Sequence, residues 1–200
     1  MKLISAAASP FGRKVKVLLR ETGLIDQVEV SNIVTSPVQT DSSAKSANPL
    51  GKIPVLLRED GPALYDSRVI TRYLDVQSGA GLYPEARIWD VLTLEATADG
   101  ISDAALSMVY EHRIRPPEMA LDSWIEAQWE KVSRALKAIN ERWMSHLSGP
   151  LDMSHIAVGC ALGYLDFRLS DRNWRKGNDA LDDWYAVLSE RDSMKATAPE

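Results

Sequence analysis

Three short stretches carry residue types whose spacing could do chemistry. Asn48-Pro49-Leu50-Gly51-Lys52-Ile53-Pro54 runs straight into the apolar Val55-Leu56-Leu57. Proline can open a strand but cannot donate to a central ladder, so Pro54 marks a strand start or an edge. X-Pro bonds alone go cis at modest cost, usually in tight turns. A cis Ile53-Pro54 bond would turn the backbone N–H and C=O of Ile53 outward, free to pair with an extended ligand. Asp66-Ser67 then opens a helix, where exposed N–H groups and the positive dipole end hold a carboxylate. Near the chain start, Ser9 precedes Pro10-Phe11-Gly12-Arg13. Pro10 suits a first helical position, and Ser9 suits the cap before it.

The elements that must position these residues fall into two parts. Leu3-Ile4-Ser5-Ala6 reads as a short buried strand, and a helix runs from Pro10 until Gly23 stops it. Val28–Val34 is a second strand. Residues 35–52 are rich in Pro, Ser, Thr, Asn and Gly and read as loop with one short helical turn. Val55-Leu56-Leu57 and Ala63-Leu64-Tyr65 flank a turn at Glu59-Asp60-Gly61-Pro62, which predicts a hairpin. A helix follows from Ser67 to about Gln77. The expected division is 1–77, a linker over 78–84 containing Ser78-Gly79-Ala80-Gly81, and 85–200. Beyond Pro84 the apolar periodicity is helical throughout. It predicts helices over about 85–112, 118–147, from Asp152 onward, and 179–189.

Composition narrows the function. Two hundred residues suffice for a sizeable core. The formal net charge of −5 argues against nucleic acid or an anionic membrane surface as main partner. Ten Lys/Arg face eight Asp/Glu up to Gln77, and thirteen face twenty beyond it, so the halves carry +2 and −7. Cys160 is the single cysteine, which excludes an internal disulfide and a cysteine-rich metal site. No apolar run reaches the length of a membrane span, and Met1-Lys2-Leu3-Ile4 lacks the apolar core of a signal peptide, so the cytoplasm is the expected compartment.

Ser9-Pro10-Phe11-Gly12-Arg13, the loop into Ile53-Pro54 and the Asp66-Ser67 helix start occur in an order that resembles the soluble glutathione transferases, of a bacterial type with serine at the N-terminal motif. The resemblance covers nearly the whole chain and is strongest over residues 9–73. It implies an α/β thioredoxin-like N-terminal domain (βαβ-ββα) followed by an all-α C-terminal domain. It further implies glutathione as co-substrate, a site in an interdomain cleft, and a homodimer. The reaction expected is attack of the glutathione thiolate on a small electrophile or on a hydroperoxide. The alternatives are a non-catalytic glutathione-binding or scaffold protein, and a narrow glutathione-dependent isomerase or dehalogenase.

On this resemblance the chemistry turns on Ser9. The thiolate is the nucleophile, and an unperturbed thiol of pKa about 8.5 is only a few per cent ionised at pH 7. A hydroxyl hydrogen bond to charged sulfur contributes about 1.5–3 kcal/mol and a helix N-terminus about 0.3–1. Together they lower the thiol by roughly 1.5–3 units, to near pH 6–7. Residues 9–12 hold no cysteine, which disfavours thiol transfer through a mixed protein–glutathione disulfide. The resemblance assigns Lys52 to the glycyl carboxylate, the main chain of Ile53 to the cysteinyl residue, Ser67 to the γ-glutamyl carboxylate and Asp66 to its ammonium. Phe11 either walls the electrophile pocket or fills core. Glu95, Asp99 and Asp103 form a ridge at i, i+4, i+8, a pattern that usually faces solvent. In this family it lines a dimer cleft, where Asp99 or Asp103 could reach the neighbouring subunit.

Several residues are read as structural. Cys160 lies in an apolar run and packs core. His112, His146 and His155 stand far apart with no paired ligand spacing, so no metal is expected. Arg13, Lys14, Lys16 and Arg20 form mostly a solvated helix face, with Arg13 a candidate partner for an acid of the helical domain. The six Trp chiefly pack, Trp174 being a candidate for the pocket rim. The family commonly opens the helix at 152 with Ser/Thr-x-x-Asp. Here Asp152 and His155 stand there, so His155 is expected to return the capping bond less well and, when protonated, to oppose the helix dipole.

Overall fold

The computed structural model describes residues 1–199. It divides into two compact units. The first holds residues 1–86 together with the described residues from Asp192 onward; the second is Arg87–Arg191.

The first unit is built on a three-stranded mixed sheet of order β2-β1-β3. β1 (Lys2–Ser5) runs parallel to β2 (Glu29–Asn32), with Leu3 opposite Val30. It runs antiparallel to β3 (Val55–Leu57), with Leu3 opposite Leu56. Helices α1 (Pro10–Glu21) and α3 (Ser67–Ser78) pack on each other and on the sheet, burying Val15, Leu18, Leu19, Ile70 and Leu74 against Leu3, Val55 and Leu56. The expected helical turn in the 35–52 loop is α2 (Ser42–Ala47), capped by Asp41, whose carboxylate accepts from Ser43 N–H at 2.8 Å. The expected strand at Ala63–Tyr65 shrinks to one bridge, Leu64 to Leu56. Pro62 offers no N–H before it, and the cap of α3 begins directly after Tyr65, so the run has no room to extend.

The linker is tied back to the first unit by a residue that sequence reasoning passed over. Asp75, buried near the end of α3, accepts from the N–H groups of Leu82 at 2.7 Å and Tyr83 at 3.2 Å. The Tyr83 hydroxyl meets Thr71 Oγ1 at 2.7 Å.

In the second unit, α4 (Ile88–Ile114) packs against α5 (Asp122–Arg142) and α7 (Met153–Arg168). Every residue of α7 from Met153 to Leu165 is buried, as a helix apolar on all sides must be. α4 stops where Arg115 turns extended before Pro116, because a residue preceding proline is driven out of the helical region. The single helix expected over 118–147 is broken: Trp143 leaves helical geometry between α5 and α6 (Met144–Leu147). α8 (Asp179–Ser189) completes the unit. No helix among the described residues is long and apolar enough to cross a membrane.

The expected solvated face of α1 is corrected. Arg13 and Lys14 are 5% and 1% exposed. The Arg13 guanidinium donates to Met194 O at 3.1 Å and Thr197 Oγ1 at 3.5 Å, on and after α9 (Asp192–Lys195). It thus fastens the C-terminal segment to the first unit, and Ser193 adds a hydrogen bond to Glu21. The acidic ridge is not uniform either: Glu95 is fully buried, Asp99 half-buried and Asp103 exposed. Trp174 is core, not rim. It is 2% exposed and donates to Asp166 Oδ1 at 2.7 Å, whereas Trp89 and Trp124 face solvent. Cys160 is buried in α7.

The histidine reading is corrected as well. His146 and His155 converge on Asp152, 1% exposed at the start of α7. Asp152 accepts from Ser154 N–H at 3.0 Å, and on the reciprocal side of the capping box His155 Nδ1 lies 3.3 Å from the Asp152 backbone nitrogen and 2.9 Å from its Oδ1. His146 Nε2 lies 2.9 Å from Asp152 Oδ2, and the Arg87 guanidinium 3.6 Å from the same oxygen. Burial raises the Asp152 carboxyl, but the bonds from His155 and Ser154 and the two imidazoles outweigh it and hold it at about 2. Three metal-capable groups meet here, with ligand atoms within 4.8 Å of one another, and each is already engaged in closing the helix end.

Candidate functional site

Sheet register brings three of the expected stretches to one end of the first unit. β1 leads out of Ser5 toward Ser9, and Ile4 stands opposite Val55, so Pro54 and Ile53 continue past the same end. The Leu64–Leu56 bridge runs antiparallel, which carries Tyr65, Asp66 and Ser67 back toward it.

Ser9 caps α1: its hydroxyl oxygen accepts from Gly12 N–H at 3.1 Å. That role leaves the hydroxyl proton available to another acceptor. Gly12 is what lets the helix start come this close to β1, since a Cβ there would sit 2.0 Å from Ser5 Oγ. With Gly12 N–H taken and Pro10 lacking one, Phe11 N–H is the donor left at this helix start among the described residues. The Phe11 side chain is half-buried.

The loop into β3 is organised by Asn48, buried and of no assigned role in the sequence. Its amide donates to Lys52 O at 2.9 Å, and its side-chain oxygen accepts from Leu50 N–H at 2.9 Å. Gly51 N–H bonds to Asn48 O at 2.8 Å, and Gly51 takes φ +64°, a left-handed turn that suits glycine. The result presents Lys52 to solvent and leads into a cis Ile53–Pro54 bond. Among the described residues no hydrogen bond uses the backbone N–H or C=O of Ile53.

Asp66 caps α3, its Oδ1 accepting from Arg68 N–H at 3.0 Å. Its Oδ2 pairs with the Arg68 guanidinium at 3.0 Å, a partner the sequence reading did not give it. Burial raises the carboxyl, but the Arg68 hydrogen bonds and the Arg68 and Lys14 charges outweigh it, leaving it below the ordinary range. Ser67 is 3% exposed, yet among the described residues neither its hydroxyl nor its N–H has a hydrogen-bond partner. A hydroxyl and an N–H at the positive end of a twelve-residue helix, neither with a partner among the described residues, suit a carboxylate. Asp99 and Asp103 lie on α4 in the second unit.

Comparison with known proteins follows the same division. The glutathione S-transferase N-terminal domain matches residues 8–77 and the C-terminal domain of that family matches 122–186. An Escherichia coli K12 protein, the GST-like protein YibF, is 32% identical over 204 residues, covering 100% of this chain and 98% of its own. The chain belongs to the glutathione S-transferase family. Its fold is accordingly the thioredoxin-like and helical pair of that family. A transferase family member from Pseudomonas fluorescens Pf-5, solved with bound glutathione, superposes with a TM-score of 0.97 at 44% identity, covering 100% of this chain and 98% of the other. A second structure from that organism, with bound S-(propanoic acid)-glutathione, gives 0.92 at 43% identity, with both chains fully covered.

Proposed function

We propose that this family member binds glutathione on its first unit and transfers the tripeptide thiolate to a small electrophile, with hydroperoxide reduction as a second use of the same sulfur. The observation that carries this reading is the Ser67 hydroxyl and N–H at the start of α3, without partners among the described residues, at the same end of the sheet as the Ser9 hydroxyl and the Ile53 main chain, which among those residues is likewise unbonded. A γ-glutamyl carboxylate would receive both Ser67 donors, with Asp66 taking the ammonium in competition with Arg68. The cysteinyl residue would pair with Ile53 as an added strand does at a sheet edge. Lys52 would meet the glycyl carboxylate as a point charge. The sulfur would then receive the Ser9 proton and the Phe11 N–H.

Chemistry follows from ionisation. The Ser9 hydrogen bond and the α1 terminus together lower the thiol by roughly 1.5–3 units, so a large part is nucleophilic at pH 7 without a dedicated base. In conjugation the sulfur forms a bond to an electrophilic carbon, and the displaced electron pair leaves with a leaving group or moves into the acceptor. The glutathione bound by the solved relatives supports this reading. A propanoic acid on the sulfur in one of them points to acid-bearing electrophiles. The reading gives the protein a detoxifying role in the cytoplasm as a homodimer, with Asp99 or Asp103 of α4 reaching the partner subunit.

Titration calorimetry with glutathione tests it. Ser67→Ala should weaken binding roughly five- to 150-fold, the loss of a buried charge-assisted hydrogen bond of about 1–3 kcal/mol. Unchanged affinity would remove Ser67 from the site, and no binding by the native protein would remove the function.

A further inference from the structure

The first unit buries a positive charge and gives it no acid. Arg13 stands one turn into α1, its backbone N–H donating to Ser9 O at 2.8 Å. Arg13, Val17 and Glu21 recur at every fourth position and so share one face of the helix. α9 and the residues after it cover that face: Ser193 bonds to Glu21, while Met194 and Thr197 meet Arg13. Both acceptors of the Arg13 guanidinium are neutral, a carbonyl oxygen at 3.1 Å and a hydroxyl at 3.5 Å. Its Nη1 is buried without a partner. Among the described residues no carboxylate pairs with it.

Charged side chains are almost never fully buried unless paired, because dehydrating a lone charge is costly. A buried donor without an acceptor likewise needs a reason. The surrounding charges do not supply one. On α1, Lys14, Lys16 and Arg20 share the sign of Arg13, and Glu21 lies two turns away, about 12 Å along the axis. On α3, Asp66 pairs with Arg68, Arg72 lies over the Tyr83 ring, and Asp75 accepts from the linker N–H groups. Asp192 and Lys195 of α9 are exposed. An anion brought to the start of α1 would be the first to meet this field at close range.

We propose that Arg13 stabilises the thiolate of bound glutathione through the field of its buried, uncancelled charge, and that the C-terminal segment holds this charge away from water with neutral acceptors. The inference rests on the reading that glutathione binds with its sulfur at the start of α1. One helical turn and one side chain place the guanidinium within roughly 10–15 Å of Ser9. At that range a unit charge in a protein shifts a titration by about 0.5–1 unit. Salt screens surface charges strongly and enclosed ones much less, so burial under α9 preserves the effect. A carbonyl and a hydroxyl fasten the guanidinium without cancelling it. A carboxylate in their place would hold it harder and silence it.

Absorbance titration of the thiolate in glutathione complexes of the full-length protein tests this. Arg13→Met should raise the bound thiol by about 0.5–1 unit, and Arg13→Lys should keep most of the native value. Thr197→Asp sets a carboxylate beside the intact guanidinium and should raise the thiol by a similar amount, a shift that a purely structural role of Arg13 does not produce. On a Ser9→Ala background Arg13→Met should add its full shift, since the charge acts on the sulfur and not through the hydroxyl. A thiol that titrates at the native value in Arg13→Met overturns the inference and leaves the glutathione reading standing. Where Arg13→Met does not fold, a native value in Thr197→Asp overturns it equally. A shift that vanishes on the Ser9→Ala background also overturns it, because Arg13 would then only position the cap. Failure of the native protein to bind glutathione overturns the glutathione reading and this inference with it.

Discussion

Acid should attack this fold first at the buried end of α7. Asp152 holds the first turn of that helix, the rings of His146 and His155, and the Arg87 guanidinium, and its carboxyl sits at about 2. An unfolded aspartate titrates near 3.9, so folding lowers it by nearly two units, at 1.36 kcal/mol each. The charge therefore contributes about 2 kcal/mol. The sign follows from linkage: a depressed carboxyl stabilises fully above its unfolded value, and loses that contribution as pH falls from about 4 through about 2. Asp152→Asn keeps a side-chain oxygen for the Ser154 N–H but removes the charge. Urea unfolding at a series of pH values from 6 down to 2.5 should find the variant about 2 kcal/mol less stable than the native protein at pH 6. That difference should shrink steadily below pH 4. Other carboxylates cancel in the comparison, which isolates Asp152. A difference that stays constant from pH 6 to pH 2.5 would refute the claim that this charge matters, and would reduce Asp152 to a neutral cap.

Gly12→Ala should destabilise by about 1–3 kcal/mol, because its Cβ would fall 2.0 Å from Ser5 Oγ. Thermal melts of Gly12→Ala combined with Ser5→Ala should recover most of the loss, and no recovery would mean that the clash lies elsewhere. Sedimentation at micromolar concentration should give twice the chain mass of 22.2 kDa, the symmetric dimer expected of this fold. A persistent monomer would take Asp99 and Asp103 out of any shared site.

The parts of the fold legible in the sequence were those fixed by local chemistry. Pro10 after Ser9, Asp66 before an apolar period and the abrupt Ile53-Pro54-Val55 entry each state their element in a few residues, and the structure forms α1, α3 and β3 there. What escaped depends on residues distant in sequence. Arg13 and Lys14 read as surface because charge is normally solvated, whereas Arg13 turns inward to backbone and hydroxyl acceptors more than 180 positions away. The helix at Asp192–Lys195 is too short to carry a period, so nothing local announces it or the unit that it joins. His155 seemed a poor substitute in a capping box. His146 arrives from another helix and holds the opposite side of the same carboxylate, so the pair closes what one residue could not. Asn48 was in view as part of the opening motif. Its role is to shape a loop through its neighbours' backbone, which residue type alone does not reveal.

Absorbance titration of the thiolate in the glutathione complex tests the central claim most directly, that this helix start ionises a bound thiol through Ser9. The native complex should titrate near pH 6–7, against about 8.5 for an unperturbed thiol. Ser9→Ala should raise that value by about 1–2 units while leaving glutathione affinity nearly unchanged, since the carboxylates and main chain are held elsewhere. It should also cost roughly 1 kcal/mol of stability through the lost cap. If the Ser9→Ala complex titrates where the native one does, the hydroxyl only caps α1. If the native complex itself titrates near 8.5, the site binds glutathione without activating it, and the transferase reading fails.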